Sequence, residues 1–188
     1  MYNLGDHFKI DYENILPNAD AIFKGNKYRI TVLSNTLVRI EYNEMGAFFD
    51  APSQLVVNRK FPLPKIKVKQ DEKYLELKTD NFTLSYTRDA QFKNNIKIET
   101  NGKTWYFGHP EARRYEAPGS KINEHNIKSL YSIEGFVSID DNTNELLPNG
   151  EYKKREGTYI DKYIFLYGKE FNQETTNKII ELLKPNYI

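Results

Sequence analysis

Apolar and polar residues alternate along most of the chain, the period expected of strands that bury one face. Tyr28–Leu33 places Tyr28, Ile30 and Val32 on one side. Ser34-Asn35-Thr36 signals a turn, and Leu37–Tyr42 resumes the pattern, with Val38, Ile40 and Tyr42 on one face and Arg39 and Glu41 on the other. The two runs predict an antiparallel hairpin. Asn43–Pro52 reads as a loop and Leu55–Val57 as a short strand. Phe61–Lys65 carries Pro62 and Pro64, which cannot donate to a ladder, and so falls at an edge or in a loop. Ile66–Lys69, Tyr74–Thr79, Phe82–Thr87 and Ile96–Glu99 are further strands. Asn101-Gly102 is a strong hairpin signal before Trp105-Tyr106-Phe107. Leu130–Ile139, interrupted by Gly135, and Tyr159–Tyr167 complete the alternating runs; the latter puts Tyr159, Asp161, Tyr163, Phe165 and Tyr167 on one side.

Two stretches break the pattern. Gly108–Lys128 is irregular for about twenty residues and holds Pro110, Pro118, two adjacent arginines and two of the three histidines; a loop of that length in a compact domain is usually functional or an interface. Glu170–Leu183 spaces Phe171, Ile179, Leu182 and Leu183 as a helix does, and Pro185 stops it. Many short strands and one terminal helix predict an all-β fold, an antiparallel β-sandwich with a short C-terminal helix. The division expected is a sandwich domain over 1–169 and a helical connector over 170–188.

Composition narrows the function classes. Phe, Tyr and Trp make up 14% of the 188 residues, which suits pleated, half-buried surfaces. With 27 basic and 26 acidic residues, no electrostatic argument favours nucleic acid or an anionic membrane as partner. The one basic run, Lys153–Arg155, is flanked by Glu151 and Glu156 and reads as a solvated face. No cysteine is present, which removes disulfides and thiolate chemistry. Met1–Ile10 lacks a basic segment followed by an apolar core, no apolar run is long enough to span a bilayer, and a cytoplasmic location is expected.

Signatures of catalysis are sparse. The ten glycines are scattered, so no phosphate-cradling loop forms, and neither a zinc-protease helix nor a nucleophile elbow occurs. His7, His109 and His125 lie far apart. No metal or cofactor is expected. His109 or His125 with Glu111, Glu116 or Glu124 would supply an acid–base pair suited to sugar mutarotation, against the plainer reading of exposed loop residues. Asp140 and Asp141 are adjacent and on a strand would point oppositely, unlike the facing carboxylates that glycoside hydrolysis requires; a turn or cap is the role expected of them.

Tyr-Arg-Ile-Thr-Val-Leu-Ser-Asn-Thr-Leu-Val-Arg-Ile-Glu-Tyr over 28–42 resembles the N-terminal hairpin of glycoside hydrolase family 31, whose usual form is F-x-V-L-T-x-x-L-I-R-I-E-Y. Similar pieces follow in order: Gly46, Phe48-Phe49-Asp50 and Pro52, then Val56-Val57-Asn58-Arg59, Leu75–Tyr86, Trp105-Tyr106-Phe107-Gly108, Leu130–Phe136, Val137–Asp141 and Asp161–Gly168. The resemblance spans about Tyr28 to Leu183. It implies the galactose-mutarotase-like sandwich that precedes a (β/α)8 barrel in α-glucosidases and α-xylosidases. The family's two catalytic Asp residues lie on that barrel, beyond Ile188, so this chain is expected to be inactive alone, within a retaining α-glucosidase-like enzyme. Its partners would be its own C-terminal barrel and an α-linked oligosaccharide. The family's loop near the sugar maps to Gly108–Lys128, with Arg114, Glu116, Glu134 and Asp141 as substrate-proximal candidates. Arg114-Tyr115-Glu116 matches the family's R-T-L-D loosely, and Phe136 replaces its usual Trp. The competing expectation is a free-standing carbohydrate-binding module using the Trp105-Tyr106-Phe107 run, of which Trp105 and Phe107 share one face.

Overall fold

The computed structural model describes residues 15–108, 135–142, 144–157, 159–168 and 177. A 3-10 turn at Ala19–Ala21 leads into β1 (Ile22–Lys24), β2 (Tyr28–Ser34) and β3 (Leu37–Asn43). After a connector come β4 (Lys67–Gln70), β5 (Tyr74–Lys78), β6 (Thr83–Thr87), β7 (Ile96–Thr100) and β8 (Lys103–Tyr106). Then follow β9 (Phe136–Asp140), the short β10 (Glu145–Leu146) and β11 (Tyr152–Lys153), and β12 (Tyr159–Leu166).

Among the described residues, twelve strands form two antiparallel five-stranded sheets and a two-stranded ribbon, β10-β11. The second sheet, β4-β5-β6-β7-β8, is a meander of sequential neighbours. Its β7–β8 hairpin turns at Asn101 (φ 45°) and Gly102 (φ 76°). Two central residues with positive φ make the type I′ turn whose twist matches that of paired strands. The first sheet, β1-β2-β3-β12-β9, is built by long-range pairing: β12 inserts between β3 and β9, with Tyr163 opposite Arg39 and Ile139.

Alternation places the apolar faces of the two sheets against one another. Tyr28, Ile30, Val32, Val38, Ile40, Tyr42, Ile164 and Leu166 from the first pack with Leu75, Leu77, Leu84, Tyr86, Ile96, Ile98 and Trp105 from the second. Aromatic rings close one end of this core: Tyr28 meets Tyr86 edge-on at 4.8 Å, and Phe92 sits 5.3 Å from Tyr86 and 5.6 Å from Tyr42, separations at which edge and tilted pairs add to area burial. The described residues thus form two packed antiparallel sheets, an all-β sandwich, as the alternation predicts.

The first sheet differs from a half-solvated antiparallel sheet because it is covered on both faces. The segment between β3 and β4 crosses its outer side, and Leu33, Leu37, Val137, Tyr163 and Phe165 pack there with Val56 and Phe61. Leu55–Val57, expected as a strand, is part of this irregular cover. At the edge Gly135 (φ 84°) lies against Gly168: Tyr167 and Gly168 donate backbone N–H groups to the Gly135 carbonyl at 2.9 Å each. A Cβ on Gly135 would lie 2.0 Å from the Gly168 carbonyl oxygen, so a side chain is excluded there. The expected helix over 170–183 lies outside the described residues except for Asn177, which is helical.

Candidate functional site

Charged side chains occupy the covered face of the first sheet. Strand register sets them in rows: Arg29 opposite Glu41, and Glu41 opposite Asp161. Two carboxylates facing each other repel, and arginines from the neighbouring rows and from the cover offset this. Arg39 grips Asp161 with a fork, Nε to Oδ1 at 2.8 Å and Nη2 to Oδ2 at 2.6 Å, while its Nη2 also lies 3.0 Å from Glu41 Oε1. Arg29 donates to Glu41 Oε1 at 2.8 Å and to Asp50 Oδ1 at 2.6 Å. Arg155 Nη1 reaches Asp161 Oδ2 at 3.0 Å and the Asp141 carbonyl at 2.8 Å. Asp141 also accepts the Ser53 hydroxyl at 2.8 Å, and Arg59 Nη2 stands 3.8 Å from the same carboxylate oxygen.

The same arginines fasten the cover. Arg29 and Arg39 both donate to the Phe49 carbonyl, and Arg59 donates to the carbonyls of Asp50 and Ala51. The Arg155 guanidinium lies 4.8 Å from the Phe49 ring centre and that of Arg29 5.2 Å from Phe48, within cation–π range. Charge balances: the arginines 29, 39, 59 and 155 meet Glu41, Asp141 and Asp161, all buried, plus Asp50 at the solvent edge. Burial pushes the Asp161 carboxyl up, but the attraction and hydrogen bonds of Arg39, then Arg59 and Arg155, outweigh it and hold the group below its usual value. At Glu41 burial outweighs Arg39 and Arg29, and the Asp161 charge adds to it, so its carboxyl is raised.

This assembly is a latch rather than a reactive centre. Each buried carboxylate is held by arginine and shut away from solvent. Arg155 corrects the expectation of a solvated Lys153–Arg155 run: Lys153 and Lys154 are exposed, whereas Arg155 is only 4% exposed. Local composition hid it, because two exposed lysines precede it. Asp140 and Asp141 do point oppositely, Asp140 to Lys162 Nζ at 2.7 Å and Asp141 into the buried network. Of the substrate-proximal candidates, Arg114, Glu116 and Glu134 lie outside the described residues, as do His7, His109, Glu111, Glu124 and His125.

A second feature lies on the solvent face of the other sheet. Tyr74, Ser85, Asn94, Asn95, Lys97 and Tyr106 line an open groove of about 320 Å³. Trp105 and Phe107 do share one face, and that face turns inward to the core, leaving only Tyr106 of the run outward.

No family profile and no curated protein matches the chain. Among solved structures, it is similar to the crystal structure of a GH31 alpha-xylosidase from Xanthomonas citri, at 21% sequence identity and a TM-score of 0.35. The match covers 47% of this chain and 10% of that one, so it takes in only a small part of the enzyme.

Proposed function

We propose that the chain is the non-catalytic N-terminal sandwich, galactose-mutarotase-like in fold, of an α-glucosidase-type glycoside hydrolase of family 31. In this reading it packs on a (β/α)8 barrel that carries the chemistry and shapes the sugar subsites from its Gly108–Lys128 stretch, through Arg114 and Glu116, and from the following Glu134. One observation carries the proposal. The polar residues of four separate family-like blocks meet in a single buried network: Arg39 and Glu41 from the first, Arg59 from Val56-Val57-Asn58-Arg59, Asp141 from the block over 137–141, and Asp161 from the last. Blocks that resembled the family by chance strand composition would have no reason to place their charged members together.

The purified 188-residue chain, assayed with nitrophenyl α-glucoside and α-xyloside, is expected to release no nitrophenol above a mock-purified control. Turnover that copurifies with the chain and survives that control would overturn the proposal.

A further inference from the structure

Two Asn-Gly pairs occur in the chain, Asn101-Gly102 and Asn149-Gly150. Both lie at exposed turns, and both glycines have positive φ with open space beside the Cα. Glycine leaves the backbone nitrogen that follows asparagine unhindered, so that nitrogen can attack the asparagine side-chain carbonyl. A bond forms between the glycine N and Asn Cγ, the Cγ–Nδ2 bond breaks, and ammonia departs carrying the glycine proton. Water then opens the cyclic imide at either carbonyl and leaves aspartate or isoaspartate.

The two turns differ in what holds these atoms. Asn149 Oδ1 accepts the Glu151 N–H at 3.0 Å, its Nδ2 donates to Glu151 Oε2 at 2.9 Å, and the Gly150 N–H donates to the Leu147 carbonyl at 2.9 Å. Nucleophile, electrophile and leaving group are all tied down there. At the turn between β7 and β8, Thr100 pairs with Lys103 and leaves Asn101 and Gly102 outside the ladder. Among the described residues, neither the Gly102 N–H nor the Asn101 side chain has a hydrogen-bond partner. The Asn101 amide instead rests on the Gly168 backbone, where a Cβ on Gly168 would lie 2.2 Å from Asn101 Nδ2. Swinging that amide onto the Gly102 nitrogen gives up van der Waals contact alone. Closure at Asn149 must break three hydrogen bonds, which slows it at least about tenfold relative to Asn101.

We propose that Asn101 is a site of spontaneous deamidation that ages the fold. Isoaspartate adds a methylene to the main chain of a two-residue turn, and such a turn sets the register of its hairpin. Either product also sets a carboxylate against Gly168, where the second sheet meets the chain just past β12 of the first. Trp105 lies on β8 and in the core, so its fluorescence reads the damage.

The test is peptide mass mapping of the 188-residue chain during incubation in mildly alkaline buffer, folded and in urea, with isoaspartyl methyltransferase labelling. In urea both pairs should convert at similar rates. In the folded chain the Asn101 peptide should gain the deamidation mass and the label at least about tenfold faster than the Asn149 peptide. The urea midpoint read by Trp105 should fall as conversion proceeds. Asn101→Gly removes the amide and keeps a residue suited to the turn, so its midpoint should stay constant over the same incubation. Folded-state conversion at Asn149 as fast as at Asn101, or a midpoint that drifts equally in Asn101→Gly, overturns the proposal. The mass comparison uses wild-type protein alone, so it decides even where that variant folds poorly. Neither readout involves glycoside hydrolysis, and the domain reading stands or falls separately.

Discussion

Removing Asp161 should cost the fold more than any surface change. Its carboxylate takes the two-pronged Arg39 contact and the Arg155 contact at 3.0 Å, and both arginines are buried. Asp161→Asn leaves two guanidinium groups short of a counter-charge in a sealed layer. Breaking a buried pair from one side costs about 3–5 kcal/mol, which in a domain of this size lowers Tm by roughly 6–20 °C. The single Trp, Trp105, is 3% exposed between the sheets, so its fluorescence reports unfolding in urea directly. A double-mutant cycle with Arg39→Met separates pairing from packing: the two changes should couple by about 1–3 kcal/mol, since removing both partners strands less charge than removing one. A single-variant cost below about 1 kcal/mol, or strict additivity, would refute the latch.

Acid should act through the same residue: Asp161 is held below its usual value, so its contribution is complete above the unfolded value near 4 and is lost as pH falls through the folded one; wild type should therefore lose stability below about pH 4 more steeply than Asp161→Asn in a pH series of melts. Glu41 has the opposite sign, its raised carboxyl favouring the folded state at low pH and losing that contribution as pH rises, so Glu41→Gln should cost clearly less at pH 7 than Asp161→Asn by urea titration. Gly135→Ala would drive a Cβ into the Gly168 carbonyl at a positive φ and should cost roughly 2–4 kcal/mol, whereas Gly150→Ala, with a similar φ and open space around it, should cost only about 1 kcal/mol in the same titration.

Much of the sandwich is legible from alternation, because each of these strands buries one face and turns on recognisable residues. The β2–β3 hairpin, the strands of the second sheet, the turn at Asn101-Gly102 and the shared face of Trp105 and Phe107 all follow from local pattern. The double cover of the first sheet does not. Its lid is an irregular segment containing Pro52, Pro62 and Pro64, and where such a segment docks depends on partners distant in sequence, such as Arg29, Arg39 and Asp161. Arg155 is hidden for the same reason: a basic triplet looks solvated until β12 brings Asp161 beside it. A trace of the network is nevertheless present in the chain, as Asp161 interrupts a face otherwise made of Tyr159, Tyr163, Phe165 and Tyr167. The groove needed registers across four strands to place Tyr74 and Tyr106 on one surface, and only Tyr106 lies in the aromatic run that the sequence makes conspicuous.

The most direct test of the domain reading is to sequence the source gene past the codon for Ile188. A frame that continues for several hundred codons, with alternating strand and helix periodicity and Asp residues at strand ends, is expected. A stop codon directly after Ile188 would contradict it.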